Sequence, residues 1–326
     1  MEGKTTQVAV VKPGWFTTVQ DVGRFGYQQY GVPVAGTMDC FSATVANRLV
    51  GNAEKAAVLE LTLKGPELQF ERDTVIAVTG ADLSPSINGI SIPLWESIAV
   101  AGGSRLTFGP RRTGFRTYLA VAGGIDVPPV LGSRSTHCAS ETGGLQGRPL
   151  KQGDSLRGGQ PVESLGSLIG KRLPGRLLPH YGRSATLRVV PGPQRNSFPD
   201  ASLATLTGSS YTVAAQSDRM GYRLTGPRVA RHGSARFISD CTAMGALQVP
   251  PDEQPILLMA DRQTTGGYPK IAVVISADLP LAAQLAPGDR ITFIMRTLAE
   301  AHALLRERRA LLDVALPPRH TCPVTG

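Results

Sequence analysis

No run in this 326-residue chain approaches the roughly 18 apolar residues that a membrane-spanning helix needs. The opening Met-Glu-Gly-Lys-Thr-Thr-Gln also lacks the apolar core of about 7–15 residues that marks a secretory leader. Both absences point to a cytoplasmic enzyme or part of one, with no membrane partner. Cysteine is scarce: Cys40, Cys138, Cys241 and Cys322 are widely separated and form no CxxC pair, so neither a disulfide framework nor a zinc site is signalled. His137-Cys138 and His320-Thr-Cys322 lack matching ligands at useful spacing, and no metal site is expected. No GxxxxGK[ST] phosphate loop is present, and Gly109-Pro-Arg-Arg-Thr-Gly114 approaches one only loosely. Aromatic residues make up 6% and do not interleave with the basic ones, so the net charge of +9 does not indicate nucleic acid. An anionic substrate or an acidic protein partner remains.

What is present describes a globular protein of two domains. Hydrophobic residues are 41% and charged residues 18%, and the length fits two domains of about 100–200 residues each. The 37 glycines and 25 prolines favour short strands joined by tight turns. Such runs crowd residues 57–122, and Asn88-Gly89 is a type I′ hairpin signal. A barrel or a sandwich follows. Asp39 is suited to cap a helix whose apolar positions are Phe41, Val45 and Leu49, closed by Gly51-Asn52. The last element is an amphipathic helix over 297–313, with Leu298, Ala301, Leu304, Leu305 and Leu311 toward the body. Pro191-Gly-Pro193 stops a strand over 186–190. Residues 158–184, rich in Gly, Pro, Arg and Ser, read as a linker. Two echoes suggest a duplicated plan: Gln20, Asp21, Arg24, Gly26 and Tyr27 against Gln216, Asp218, Arg219, Gly221 and Tyr222, and Leu150-x-x-Gly-Asp-x-Leu156 against Leu285-x-x-Gly-Asp-x-Ile291.

Residues 259–276 stand out. Asp261, Arg262, Gln263, Thr264, Thr265, Tyr268 and Lys270 crowd around Gly266-Gly267, just ahead of the β-branched run 271–275. Five apolar residues bounded by turn formers read as a core strand, which places the polar cluster at the mouth of a rigid element. Glycines there permit positive φ and close backbone approach to a ligand. The same spacing also suits a hairpin loop with solvated polar residues.

Several segments carry a family resemblance. Residues 13–27, Gly31-Val-Pro-x-x-Gly-x-Met-Asp39, Ala46-Asn-x-Leu-Val-Gly-Asn52, 216–223 and 261–270 resemble the biotin-dependent carboxyltransferase-like family, over roughly residues 8–296. That family holds the C subunits of 5-oxoprolinases, antagonists of a sporulation-kinase inhibitor, and the second carboxyltransferase subdomain of urea carboxylase. The resemblance implies a mainly β fold of two cyclophilin-like β-barrel lobes with a few short helices and a C-terminal helix. The first lobe would cover 1–157, the linker 158–184, the second lobe 185–296, and the helix and tail 297–326. It implies work with two further subunits, a cyclophilin-like one termed B and another termed A, using ATP and Mg2+ in the complex, to open the lactam of 5-oxo-L-proline to L-glutamate. Two other readings are carboxyl transfer from carboxybiotin and regulation by sequestering the B subunit. No Met-Lys-Met segment occurs, so biotin is not carried on this chain. The segment Asp240-Cys-Thr-Ala-Met-Gly245 departs from many relatives.

Activating a lactam by phosphorylation needs groups that neutralise phosphate and bind a small carboxylate. On that demand, Arg219, Arg262 and Lys270 would hold anions. Asp218 or Asp261 would act as a base or magnesium ligand. Tyr222, Gln248, Gln263, Thr264 and Tyr268 would orient substrate, and Gln20, Asp21 and Arg24 would form a matching half of the cleft. Asp218–Arg219 and Asp261–Arg262 also read as ion pairs that pin loops.

Overall fold

The computed structural model describes residues 5–232 and 238–319, so the His320-Thr-Cys322 tail lies outside the described residues. The chain folds into two compact units, one of Met1–Gly23, Asp39–His180 and Ala310–Gly326, the other of Arg24–Met38 and Tyr181–Arg309. The sequence reading kept each lobe contiguous. In the structure residues 24–38 go with the second unit, and the segment expected as a linker belongs largely to the first, down to His180. There the Ser97 hydroxyl donates to the Leu168 carbonyl at 2.6 Å and accepts from the Lys171 N–H at 2.9 Å.

The first unit carries strands β1 (Gln7–Lys12), β2 (Phe16–Gln20), β3 (Val58–Thr62), β4 (Glu67–Phe70), β5 (Thr74–Asp82), β6 (Pro85–Ile87), β7 (Ile90–Ser91), β8 (Ser97–Val100), β9 (Arg105–Phe108), β10 (Thr113–Val121) and β11 (Ser155–Arg157). They form two sheets, ordered β11-β1-β4-β9-β6-β7 and β2-β3-β10-β5-β8. One apolar cluster, including Val8, Leu68 and Phe70 from one sheet and Leu59, Ile76 and Leu119 from the other, makes their shared core. This unit is therefore sandwich-like, and the closed barrel of the molecule is in the other unit. At the β6–β7 hairpin Asn88 and Gly89 have φ of 50° and 83°, the left-handed pair that a type I′ turn requires. Helix α1 (Cys40–Leu49) starts at Asp39, whose carboxylate accepts from the Ser42 N–H at 2.9 Å, and it buries Val45 and Leu49.

The second unit contains β12 (Ser184–Pro191), β13 (Ser210–Val213), β14 (Gly221–Thr225), β15 (Asp240–Cys241), β16 (Ala246–Gln248), β17 (Ile256–Leu258), β18 (Thr265–Gly266), β19 (Lys270–Val274) and β20 (Arg290–Met295). Seven of these close a barrel in the order β12-β19-β16-β17-β14-β13-β20, and β15 pairs with β18 outside it. The expected core strand is β19, with Ile271 and Ala272 fully buried. Closure comes from a parallel pairing of β12 with β20 running from Ser184↔Arg290 to Val189↔Met295. Leu187, Val189, Leu247, Leu257, Ile291 and Phe293 point into the barrel core. Besides α1 the helices are short, apart from the final one, Leu298–Ala315.

That final helix corrects one expectation. Its residues up to Arg309 belong to the second unit, where Ala301 and Leu304 pack with Ile275 and Ala277 while Arg308 donates to the Ala277 carbonyl. Leu312 and Leu316 are buried, whereas Leu298, Leu305 and Leu311 stay exposed. The packed stripe is therefore narrower than the five positions expected, and the long side chain of Arg308 lies along it to reach the body with its guanidinium.

Within the barrel core Tyr211 is fully buried and its hydroxyl has no partner among the described residues. Burial pushes its phenol up to about 12 from an ordinary 10.0. An unmade buried hydrogen bond costs about 1–3 kcal/mol, so Tyr211→Phe should keep or raise stability in urea unfolding at neutral pH. An acid whose folded pKa lies above its unfolded value is fully stabilising below the lower value and loses that contribution as pH climbs toward the higher one. The margin of Tyr211→Phe over the parent should therefore widen between pH 10 and 12. A variant less stable than the parent at both ends would show that the hydroxyl has a partner.

Candidate functional site

The segments expected to carry the chemistry meet on one side of the barrel in the second unit, and an ion pair fixes them. Arg219 sits in the turn entering β14 and Asp261 in the loop leaving β17. Arg219 donates from Nε to Asp261 Oδ2 and from Nη2 to Asp261 Oδ1, each at 2.9 Å, and both side chains are buried. Nη2 also donates to the Gly36 carbonyl at 2.6 Å. The backbones are tied as well, with the Asp261 N–H donating to the Arg219 carbonyl at 2.8 Å. The sequence reading paired neighbours, Asp218 with Arg219 and Asp261 with Arg262. The pairing is instead crosswise, because the fork of a guanidinium needs a carboxylate that faces it in its own plane, and Asp261 meets Arg219 that way. Asp218 is exposed and accepts from the N–H groups of Met220 at 2.8 Å and Gly221 at 3.3 Å, holding its own turn.

Arg262, the next residue along, is different. It is partly buried, its guanidinium reaches only the carbonyls of Thr242 and Met259 at 3.4 Å each, and no carboxylate pairs with it among the described residues. Burial lowers its pKa from the usual value. A partly desolvated guanidinium with no carboxylate partner among the described residues has the chemistry that suits an anion.

Beside it lies a carboxamide cluster. Gln263 Nε2 donates to Gln248 Oε1 at 3.3 Å, and Gln248 Nε2 approaches the Tyr268 carbonyl at 3.5 Å. The Thr242 hydroxyl donates to the Gln263 carbonyl, and the Thr242 N–H to the Thr264 carbonyl at 3.0 Å. Gly266 does not use positive φ as expected. A Cβ there would meet Nε2 of Gln248, the movable end of a side chain, so glycine lets the Gln248 amide approach this closely. The Tyr268 ring is half-exposed.

Lys270 opens β19 and is buried, with Nζ 3.5 Å from Gln194 Oε1 and 3.8 Å from Asp240 Oδ2. The Cys241 N–H, and after it the Lys270 charge, hold the Asp240 carboxyl below the ordinary carboxylate range. Gln194, Asp240 and Thr242 are members of this cluster that the sequence reading did not name as site residues. Asp240 and Thr242 lie in the segment noted as departing from relatives, while Gln194 follows Pro191-Gly-Pro193, which read only as a strand stop.

The remaining expected residues sit elsewhere. Tyr222 is a barrel-core residue whose hydroxyl reaches the Ala283 carbonyl at 3.5 Å. In the first unit, the Asp21 carboxylate accepts from the hydroxyls of Ser133 and Ser135 at 2.6 Å and from the N–H groups of Gly23 and Arg134 at 2.9 and 2.6 Å, which makes it the anchor of a loop. Gln20 is buried, its Nε2 donating to Thr136 O and Thr18 Oγ1 at 3.0 Å. Arg24 is buried in the second unit. Among the described residues, no group of three or more His, Cys, Asp or Glu gathers to hold a metal ion.

The closed barrel thus presents an ion-paired carboxylate, a guanidinium with no carboxylate partner among the described residues, and paired carboxamides. The model of the carboxyltransferase domain, subdomains A and B, matches residues 30–295, and the chain belongs to that family. It is 40% identical to the C subunit of 5-oxoprolinase from Escherichia coli over 90% of this chain and 92% of the relative. It is also 37% identical to urea amidolyase of Lachancea kluyveri over 93% of this chain, which spans only 18% of that relative. The solved structure of K. lactis urea amidolyase superposes with a TM-score of 0.90 at 35% identity, covering 97% of this chain and 20% of that one.

Removing one partner of a buried ion pair leaves a stranded charge that costs about 3–5 kcal/mol. Arg219→Ala should lose stability of that order in urea unfolding, with Asp261→Asn falling short of it because the amide keeps one acceptor. A loss below about 1 kcal/mol for Arg219→Ala would remove the pair from its anchoring role.

Proposed function

We propose that this chain is the C subunit of an ATP-dependent 5-oxoprolinase and acts with a cyclophilin-like B subunit plus an A subunit to convert 5-oxo-L-proline to L-glutamate. The observation that carries the reading is the 40% identity with the C subunit of the Escherichia coli 5-oxoprolinase across nearly the whole of both chains. The geometry supports it. Arg262 is a partly desolvated cation with no carboxylate partner among the described residues, suited to the phosphate or carboxylate that lactam activation brings. Gln248 and Gln263 supply donors and acceptors for the rest of a small polar substrate. ATP and Mg2+ serve the complex. The part of this chain in that reading is to bind and orient the substrate.

A second reading is carboxyl transfer from a biotin carried on another protein. It is favoured by the 0.90 TM-score with K. lactis urea amidolyase.

The two readings separate in one assay: glutamate formation from 5-oxoproline and ATP by the chain with its cognate A and B subunits, each omitted in turn. Activity lost on omission of this chain supports the first, and an assembled but inactive complex that accepts carboxyl groups supports the second. In the active complex Arg262→Ala should lower kcat/KM by about 10²-fold, the order seen when one donor to a developing charge is removed. Its unfolding midpoint should stay near the parent's. Lost stability with normal turnover of the folded fraction would make Arg262 a structural residue.

A further inference from the structure

We propose that Gln194, Asp240 and Lys270 form an amide-edge reader, a subsite for a ligand whose N–H and C=O lie cis on one edge, as in a lactam or a urea. The proposal rests on the reading of this cluster as the substrate site.

The subsite is assembled by a close backbone approach. After β12 ends at Pro191, the Gly192 N–H donates to the Ile271 carbonyl at 2.9 Å and the Gln194 N–H to the Lys270 carbonyl at 3.3 Å. A Cβ at Gly192 would collide with the Lys270 carbonyl, so only glycine lets the loop lie flat on the start of β19. This places the Gln194 carboxamide between two charges. Its Oε1 accepts from the Lys270 N–H at 3.1 Å and faces Nζ at 3.5 Å, while its Nε2 donates to Asp240 Oδ2 at 2.8 Å.

The ammonium and the carboxylate are thus held side by side, 3.8 Å apart. Among the described residues neither is saturated. An ammonium has three donors, and the contacts of Lys270 Nζ with described residues are one long hydrogen bond and one loose ion pair. The side chain of Lys270 is 3% exposed and that of Asp240 50%, so the pair opens to solvent at the carboxylate end. A carboxylate offers about four acceptor positions, and among the described residues Asp240 uses one on Oδ1 for the Cys241 N–H, one on Oδ2 for Gln194 and a third for the Cys241 thiol.

A fixed acceptor beside a fixed donor matches an amide presented edge-on. In a cis amide the nitrogen and oxygen are about 2.2 Å apart on one edge, from standard C–N and C=O lengths. Its N–H then donates to Asp240 while its C=O accepts from Lys270. A trans amide turns these groups to opposite sides and cannot make both bonds, which excludes ordinary peptides. Gln194 acts through the other two as a positioning residue.

Ligand-observed NMR titrations of the full chain test this with 2-pyrrolidone, N-methyl-2-pyrrolidone, which lacks the N–H, and N-methylacetamide, a trans amide. The expected result is that 2-pyrrolidone binds at least about tenfold more tightly than the other two. Asp240→Ala, at a half-exposed position, should abolish that preference. Gln194→Glu keeps an acceptor toward Lys270 but sets a second carboxylate against Asp240, and should weaken 2-pyrrolidone about tenfold, as should Gly192→Ala. Arms with 5-oxoproline and with urea show which source of the shared edge is preferred. Equal binding of the three amides, no binding of 2-pyrrolidone up to its practical limit, or a preference that survives Asp240→Ala would overturn the subsite. An assembled complex that keeps the preference yet forms no glutamate would instead sink the oxoprolinase reading and leave the subsite standing.

Discussion

The buried pair of Arg219 and Asp261 is the constraint on which the rest of the candidate site depends. Two charges taken out of water are tolerated only when each satisfies the other with good geometry. Here the match is bidentate and is completed by the Gly36 carbonyl. Because the pair cannot slip without stranding a charge, it locks the turn entering β14 to the loop leaving β17. Backbone bonds from Met259 to Met220 and from Asp261 to Arg219 reinforce the same junction. Arg262 and Gln263 follow directly in the chain, so their starting points are fixed by a structural pair rather than by their own contacts. A guanidinium that bonds only two carbonyls at long range can then remain poised without collapsing onto a nearby carboxylate.

The same economy governs the glycines. Gly266 gives way to the Gln248 amide, and Gly192 to the backbone of Lys270. In neither place does the glycine serve a left-handed turn. Each removes a side chain where a strand end must lie against another polar group, so that carboxamides from separate elements converge on β19. Carboxamides suit that task because each offers donors and an acceptor without a charge to neutralise.

Much of the fold was legible in the sequence, because local chemistry decides it. Asp39 capping α1 and the Asn88-Gly89 turn are set by their own few residues. The echo of Leu150–Leu156 with Leu285–Ile291 also proved physical. Asp154 accepts from the Lys151 N–H at 2.7 Å and Asp289 from the Ala286 N–H at 2.8 Å, and Gly153 and Gly288 share φ near 90°. The other echo did not hold in the same way: Asp21 is a buried loop anchor, while Asp218 merely closes an exposed turn. Strands β14, β16 and β17 were hidden in polar or proline-bounded stretches, since three to five residues gain strand character only when the barrel closes around them. The crosswise ion pair and Gln194 were illegible for a related reason. Each depends on a partner more than 40 residues away, which no local spacing encodes.

The two cations of the site carry their charge in unlike ways, and the difference has chemical consequences. Lys270 is held close to a carboxylate whose pKa is lowered, so its charge is positioned but largely balanced, and what it offers a ligand is a directed donor. Arg262 is partly buried without such balance, and its lowered pKa records the desolvation. A negative ligand group gains most where the protein has left charge uncompensated, while a neutral dipolar group gains most where donor and acceptor stand together. The candidate site is therefore asymmetric in its chemistry, with charge left uncompensated at Arg262 and donor and acceptor standing together at Lys270 and Asp240. A molecule that joins a carboxylate or phosphoryl group to an amide carries a partner for each kind of charge, whereas a simple anion or a simple amide carries only one.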